Sequence, residues 1–123
     1  MGLDIDVYKK SGEWVTNFRK INFVMQWLED TFDKTEDELN CVDLFLNKEQ
    51  LTDLYKRTET VISARSSDDN WRQVARETLP TCSGLFFGYT EYDDYYINDI
   101  TFVNETIMKL LETETEIRVK VWW

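Results

Sequence analysis

Apolar and polar residues alternate at both ends of the chain. Leu3, Ile5 and Val7 are interleaved with Asp4, Asp6 and Tyr8, and Ile117, Val119, Val121 and Trp123 with Glu116, Arg118, Lys120 and Trp122. Side chains of an extended strand point to opposite faces in turn, so each segment reads as a strand with one face in a core and the other facing polar surroundings. Between them, apolar residues recur at the three-and-four spacing of helices. A chain patterned this way covers one face of a sheet with helices. The pattern leaves open whether the two terminal strands lie side by side.

After the Ser11-Gly12 turn, Phe18, Ile21, Val24, Met25 and Leu28 predict a helix over about 16–30, capped by Thr16 or Asn17. Residues 29–38 hold six acids against one lysine and read as a solvated loop. Cys41 to Leu46 is short, apolar and strand-like, and it ends at Asn47, a helix cap that Gln50 can reach back to. Leu51, Leu54, Tyr55, Thr58, Val61 and Ile62 carry the next helix to about Ala64. Trp71, Val74 and Ala75 mark a shorter one that ends near Thr78, ahead of Pro80.

Ser83-Gly84-Leu85-Phe86-Phe87-Gly88 sets three large apolar residues between glycines, which predicts a short central strand or a close approach of backbone. Thr90 then reads as the cap of the longest helix, from Glu91 to about Glu112, with Tyr92, Tyr96, Ile100, Val103, Ile107, Leu110 and Leu111 on one face. The expected fold is a single domain over 1–123 of mixed α/β or α+β class, with about four strands and four helices. Helical crossovers would make some of the strands parallel.

Twenty-four Asp and Glu against 14 Lys and Arg give a formal charge of −10, and histidine is absent. An acidic surface of this kind repels polyphosphate, so direct binding of nucleic acid is not expected. No apolar run approaches the roughly 20 residues that span a bilayer, and the first six residues carry acid where a secretory signal carries base. A cytoplasmic protein with no membrane partner is the expectation. Without imidazole, histidine-based catalytic triads and zinc sites are excluded. Cys41 and Cys82 are expected as buried thiols in a reducing compartment. Magnesium or calcium on carboxylates remains open chemically, with Asp4, Asp6, Asp93 and Asp94 as candidate ligands near strand ends, although no calcium-loop or phosphate-loop motif is present and no cofactor is expected.

The densest local feature is Tyr89, Tyr92, Tyr95 and Tyr96 interleaved with Glu91, Asp93, Asp94 and Asp99. Phenols give rigid contact area with a polar tip, and carboxylates beside them steer a basic partner. The candidate partner-binding set is therefore Tyr89, Tyr92, Asp93, Asp94, Tyr95 and Asp99, together with Trp122, the indole that alternation turns away from the core. The competing reading packs Tyr92 and Tyr96 inward and assigns the acids to the positive end of a helix. Residues 83–123 carry eight acids against three bases, a bias that also suits imitation of nucleic-acid phosphates.

The sequence also resembles a widespread family of small, mostly uncharacterised phage and prophage proteins. The resemblance rests on Met1-Gly2-Leu3-Asp4 with Tyr8, on Arg19-Lys20, Asn22 and Trp27, and on Leu79-Pro80-Thr81, Ser83-Gly84, Phe86-Phe87-Gly88, Tyr92-Asp93 and Tyr95 or Tyr96. It spans nearly the whole chain and is dense at the start and over 79–96. Phe23-Val24 stands where the family carries a histidine-bearing helix, and the acidic stretch at 29–38 is longer. The resemblance implies a phage accessory protein that acts inside the bacterial cell by binding and modulating a host or anti-phage defence protein; whether it is an enzyme stays open, with the reading leaning against it. The alternative is a small-molecule or nucleotide binder, or a metal-dependent enzyme, with a carboxylate pocket at strand ends.

Overall fold

A computed structural model describes residues 2–84 and 87–123. Within them lie four strands and five helices: β1 (Asp4–Lys9), β2 (Trp14–Asn17), α1 (Asn22–Phe32), α2 (Glu36–Leu39), β3 (Asp43–Asn47), α3 (Lys48–Ser67), α4 (Trp71–Thr78), α5 (Asp94–Thr113) and β4 (Glu116–Trp122). The strands form one sheet in the order β2-β1-β4-β3. The fold is α+β.

All three strand pairings are antiparallel, which corrects the expectation of parallel strands. Two segments account for the difference. Trp14 to Asn17, expected inside or just before the first helix, is a strand instead. Trp, Val and Thr favour a pleated backbone, and Gly12 at φ 96° closes the tight turn that folds β2 onto β1. Ser83 to Gly88, expected as a central strand, is not one among its described residues, and Leu85 and Phe86 lie outside the described residues. Without that strand, the chain makes one helical excursion from β3 through α3, α4 and α5 and returns along β4.

The terminal strands are neighbours. Ile5 stands opposite Val121 and Val7 opposite Val119, and these four side chains enter the core beneath the helices with Leu3 and Ile117. On β2 the register shifts by one residue next to Val7 and Tyr8. Val15 and Thr16 therefore both face inward, and Trp14 returns to the outer face opposite Tyr8. A bulge re-aims side chains in this way.

The helices follow local signals. Asn47 and Gln50 form the expected capping box at the start of α3, and Leu51, Leu54, Thr58 and Val61 face the core. The acidic stretch is more ordered than a solvated loop: Thr35 and Glu38 cap α2, and Leu39 at its end is buried. For α1, Phe18 and Ile21 are buried as expected but precede the helix, and Asn17 bonds to Asp6 rather than capping it. α4 ends at Thr78 as Pro80 requires. α5 is capped by Asp93, whose Oδ1 accepts the amide of Tyr96 at 3.1 Å, so Tyr92 lies just before the helix. Cys82 is half-buried, and Cys41, expected as a buried thiol, is exposed; both are free.

Candidate functional site

A cleft of about 470 Å³ opens where the start of α1 meets the start of α5, and thirteen residues line it. One wall is the turn before α1, with Arg19 and Lys20. The other is the segment leading into α5, with Tyr89, Glu91 and Asp93, continued on the helix by Tyr95, Asn98 and Asp99.

A single amide side chain joins the walls. Asn22, buried at the first position of α1, donates from Nδ2 to the carbonyls of Phe87 (3.1 Å) and Tyr89 (2.8 Å), while its Oδ1 accepts the amide of Cys82 (3.3 Å). Cys82, Phe87 and Tyr89 thus bond through their backbones to a side chain where a strand would bond to a ladder. Phe87 is buried and packs edge-on against Trp123 at 5.2 Å. Gly88 crosses the Lys20 backbone so closely, at φ 92°, that a Cβ would stand 3.2 Å from the Lys20 carbonyl oxygen. Only glycine takes that conformation at that approach without strain. Lys20 itself sits at φ 56°, a left-handed conformation uncommon for a lysine.

The tyrosine-rich segment divides in two. Tyr89 and Tyr95 are 78% and 71% exposed, and their rings stack at 6.4 Å with 22° between planes. Among the described residues, neither hydroxyl has a hydrogen-bond partner. Tyr92 and Tyr96 face the other way. The Tyr96 hydroxyl donates to the carbonyl of Leu79 at 2.8 Å, and burial followed by the nearby Tyr92 pushes its pKa far up. The Tyr92 hydroxyl accepts the amide of Thr81 at 3.1 Å, its ring meets Tyr96 edge-on at 5.0 Å, and Arg76 lies over its face. Tyr92 is therefore a strut of the cleft wall and is absent from the lining.

The acids divide too. Asp93 caps α5. Asp94 is exposed and pairs with Arg65 at 3.6 Å. Asp99 is half-buried and has no hydrogen-bond or ion-pair partner among the described residues; burial, then the charge of Asp93, raises its pKa. Trp122 lies on the outer face of β4, where its Nε1 donates to Asp6 at 2.8 Å, and is not part of the cleft lining. Of the seven predicted partner-binding residues, the cleft brings together Tyr89, Asp93, Tyr95 and Asp99.

The four carboxylates considered as metal ligands are each engaged separately. Asp4 accepts Arg19 Nη1 on its two carboxylate oxygens at 3.2 and 3.3 Å, and Asp6 accepts Trp14, Asn17 and Trp122. Asp93 holds the amide of Tyr96 and Asp94 pairs with Arg65, as above. Among the described residues, three donors do meet elsewhere: Glu29, Glu36 and Cys82 lie within 4.8 Å of one another. There burial, with the charges of Glu36 and Asp30, pushes the Glu29 carboxyl up to about 6, and burial with those acids pushes the Cys82 thiol up to about 12. Two hard oxygen donors and one thiol held in its protonated form define no particular ion. Another cleft, of about 280 Å³, is bordered by groups that satisfy one another: Trp27 Nε1 and Arg57 Nε both donate to Asp53, and Arg57 Nη1 to the Thr78 carbonyl.

Arg19, Lys20, Asn22 and Thr81 are site residues that composition and periodicity did not single out, whereas Gly88 was marked as a place of close backbone approach and is one. Asn22 carried a usable signal, as the lone amide inside the apolar run from Ile21 to Met25. Two stretches far apart in sequence, 19–23 and 81–99, supply the walls of one cleft. Comparison with models of protein families, with curated proteins and with solved structures finds no match.

Proposed function

We propose that this protein is a phage-encoded, non-enzymatic binding module that docks on a host or anti-phage defence protein in the bacterial cytoplasm, using the rim of the cleft at the start of α5. The observation that carries the reading is the Tyr89–Tyr95 pair: two large rings exposed, stacked and without polar partners among the described residues, beside an open cleft. Exposed rigid aromatics concentrate binding energy at protein interfaces because they add contact area at little entropic cost. The surrounding carboxylates supply the long-range field that steers a partner in. The phage origin rests on the sequence resemblance. No helix among the described residues is long and apolar enough to cross a membrane, which is compatible with cytoplasmic action.

The test is capture of partners from host lysate by immobilised wild-type protein and by the Tyr89→Ala/Tyr95→Ala variant. Both side chains are exposed, so the variant is expected to keep its melting temperature within a degree or two and to lose the captured protein at least tenfold. Equal capture by the two proteins would refute the reading. Tyr92 is unsuited to this test, because its hydroxyl and ring hold the cleft wall.

The cleft volume also suits a small ligand, since such sites run from about 300 to 1,000 Å³. A thermal-shift screen with nucleotides, divalent ions and signalling metabolites examines that second reading, for which a ligand that raises the melting temperature of wild type and not of an Asp99→Asn variant is the expected signature.

A further inference from the structure

We infer that the cleft recognises one cationic side chain of the partner, an arginine in preference to a lysine, with its guanidinium against the Asp99 carboxylate and its flat face over the Tyr89–Tyr95 pair. This deepens the docking reading above and rests on it.

Three observations converge. First, Asp99 lines the cleft with no cation and no hydrogen-bond donor among the described residues. Asp93, on the same wall, has its Oδ1 spent on the Tyr96 amide, and Glu91 is exposed at the rim, so Asp99 is the half-buried carboxylate of the lining left to accept. A half-buried carboxylate close to a second one is disfavoured in its ionised form, and its raised pKa records this. An incoming cation relieves both burdens.

Second, the two exposed rings stand beside that carboxylate. They are parallel to within 22° at 6.4 Å, the loose end of the range for ring pairs, and their faces are open to a planar group. Guanidinium stacks flat on tyrosine faces and presents a fork of donors to a carboxylate at the same time; ammonium, a strongly hydrated point charge, is attracted to both groups but has neither the flat face nor the fork.

Third, the cleft has a polarity. Arg19 and Lys20 on the facing wall repel a cation, and Arg19 is already bound to Asp4. The wall of α5, with Glu91, Asp93, Asp94 and Asp99 at or near the rim, is therefore the place a positive group goes. Residues 83–123 as a whole hold eight acids against three bases, so few cations of this segment compete for that wall.

The test titrates the intact protein with three acetylated, amidated tripeptides, Gly-Arg-Gly, Gly-Lys-Gly and Gly-citrulline-Gly, followed by NMR of the tyrosine rings. Citrulline keeps the shape of arginine and lacks its charge. The expected result is a saturable shift of the Tyr89 and Tyr95 ring signals with the arginine peptide, a severalfold weaker one with lysine, and none with citrulline. Asp99→Asn, which removes a charge without removing a partner, is expected to weaken the arginine peptide at least fivefold with an otherwise unchanged spectrum. Equal binding of citrulline and arginine, equal binding by Asp99→Asn, or no binding of arginine at millimolar concentration would each overturn the inference. If lysate capture depends on Tyr89 and Tyr95 while the arginine peptide neither binds nor competes, the inference falls and the docking reading stands. If capture is also indifferent to the tyrosines, both fall.

Discussion

Among the described residues, the exposed tyrosines and tryptophans lie in two places, and they differ in what their polar atoms do. On the outer face of the sheet, Trp14 is 55% and Trp122 42% exposed, yet both indole N–H groups donate to one carboxylate, Asp6 Oδ1 at 3.2 Å and Oδ2 at 2.8 Å. Tyr8 beside them lies under the Arg118 guanidinium at 4.2 Å, and Arg118 in turn pairs with Asp43. At the cleft, Tyr89 and Tyr95 are more exposed, and their hydroxyls hold nothing among the described residues. Exposed area alone therefore does not mark a docking surface. Trp14, Trp122 and Tyr8 on the sheet face are bound to their own fold, whereas Tyr89 and Tyr95 at the cleft remain open to a partner.

If that contrast is right, the largest effect comes from the residue that builds the cleft without facing a partner. Asn22→Ala leaves the Cys82 amide and the Phe87 and Tyr89 carbonyls without their donors or acceptor. Unpaired buried backbone groups cost about 1–3 kcal/mol each, and relaxation of the segment limits the total to about 3 kcal/mol. For a domain of this size that lowers the melting temperature by roughly 10 °C. Calorimetry measures the loss, and capture of partners should fall with it because the 82–89 wall is no longer pinned. A change below about 1 kcal/mol would mean the wall is held by other contacts.

The next effect belongs to the sheet face. Asp6→Ala removes the acceptor shared by Trp14, Asn17 and Trp122, for an expected cost of about 2 kcal/mol, since bonds to a charged acceptor are stronger than neutral ones. Partner capture should be unchanged, in contrast to Asn22→Ala. The pH dependence gives a second check. Burial raises the Asp6 pKa, but the bonds from Asn17, Trp122 and Trp14 and the charge of Lys120 outweigh it, so the folded value lies below the usual 3.8. A depressed carboxyl contributes stability above the unfolded value and loses it as pH falls through the folded one. Wild type should therefore lose this increment in acid below about pH 4, and Asp6→Ala should have no such increment to lose. Denaturant melts at stepped pH measure both curves.

The sheet was legible in part because its cues are periodic. Alternation marked β1 and β4, helical spacing with an Asn47–Gln50 box marked α3, and Pro80 marked the end of α4. Three features were hidden because their cause is not local. β2 depends on pairing with β1, and its apolar neighbours Phe18 and Ile21 mimic a helical face while packing from a loop. The 83–88 stretch reads as a strand by composition, but Asn22, sixty residues earlier, holds its surroundings through side-chain bonds. Antiparallel order depends on both. For the candidate site, the tyrosine cluster was visible, and helical spacing offered the inward packing of Tyr92 and Tyr96 as the competing reading, which is how these two lie. Hidden were the partners that hold them, Thr81 and the Leu79 carbonyl, because those contacts come from a distant segment and leave no periodic trace. The other wall, Arg19 and Lys20, is invisible to periodicity.

The smallest effect is the one that separates binding from folding most cleanly. Burial, then the charge of Asp93, raises the Asp99 pKa above 3.8, so the folded protein holds that proton more tightly than the unfolded chain does. The sign is opposite to that of Asp6. The contribution is fully present below the unfolded value and is lost as pH rises through the folded one, which makes ionised Asp99 a mild burden at neutral pH. Because the side chain is partly exposed to solvent, the burden is screened, and Asp99→Asn should stabilise the protein by only about 0.3 kcal/mol at pH 7. Chemical denaturation in parallel at pH 4 and pH 7 should show that small gain only at the higher pH. A carboxylate serving the fold would show the reverse, a loss at pH 7 as with Asp6. A gain in stability combined with weaker partner capture is what distinguishes a group kept for a ligand from one kept for the sheet.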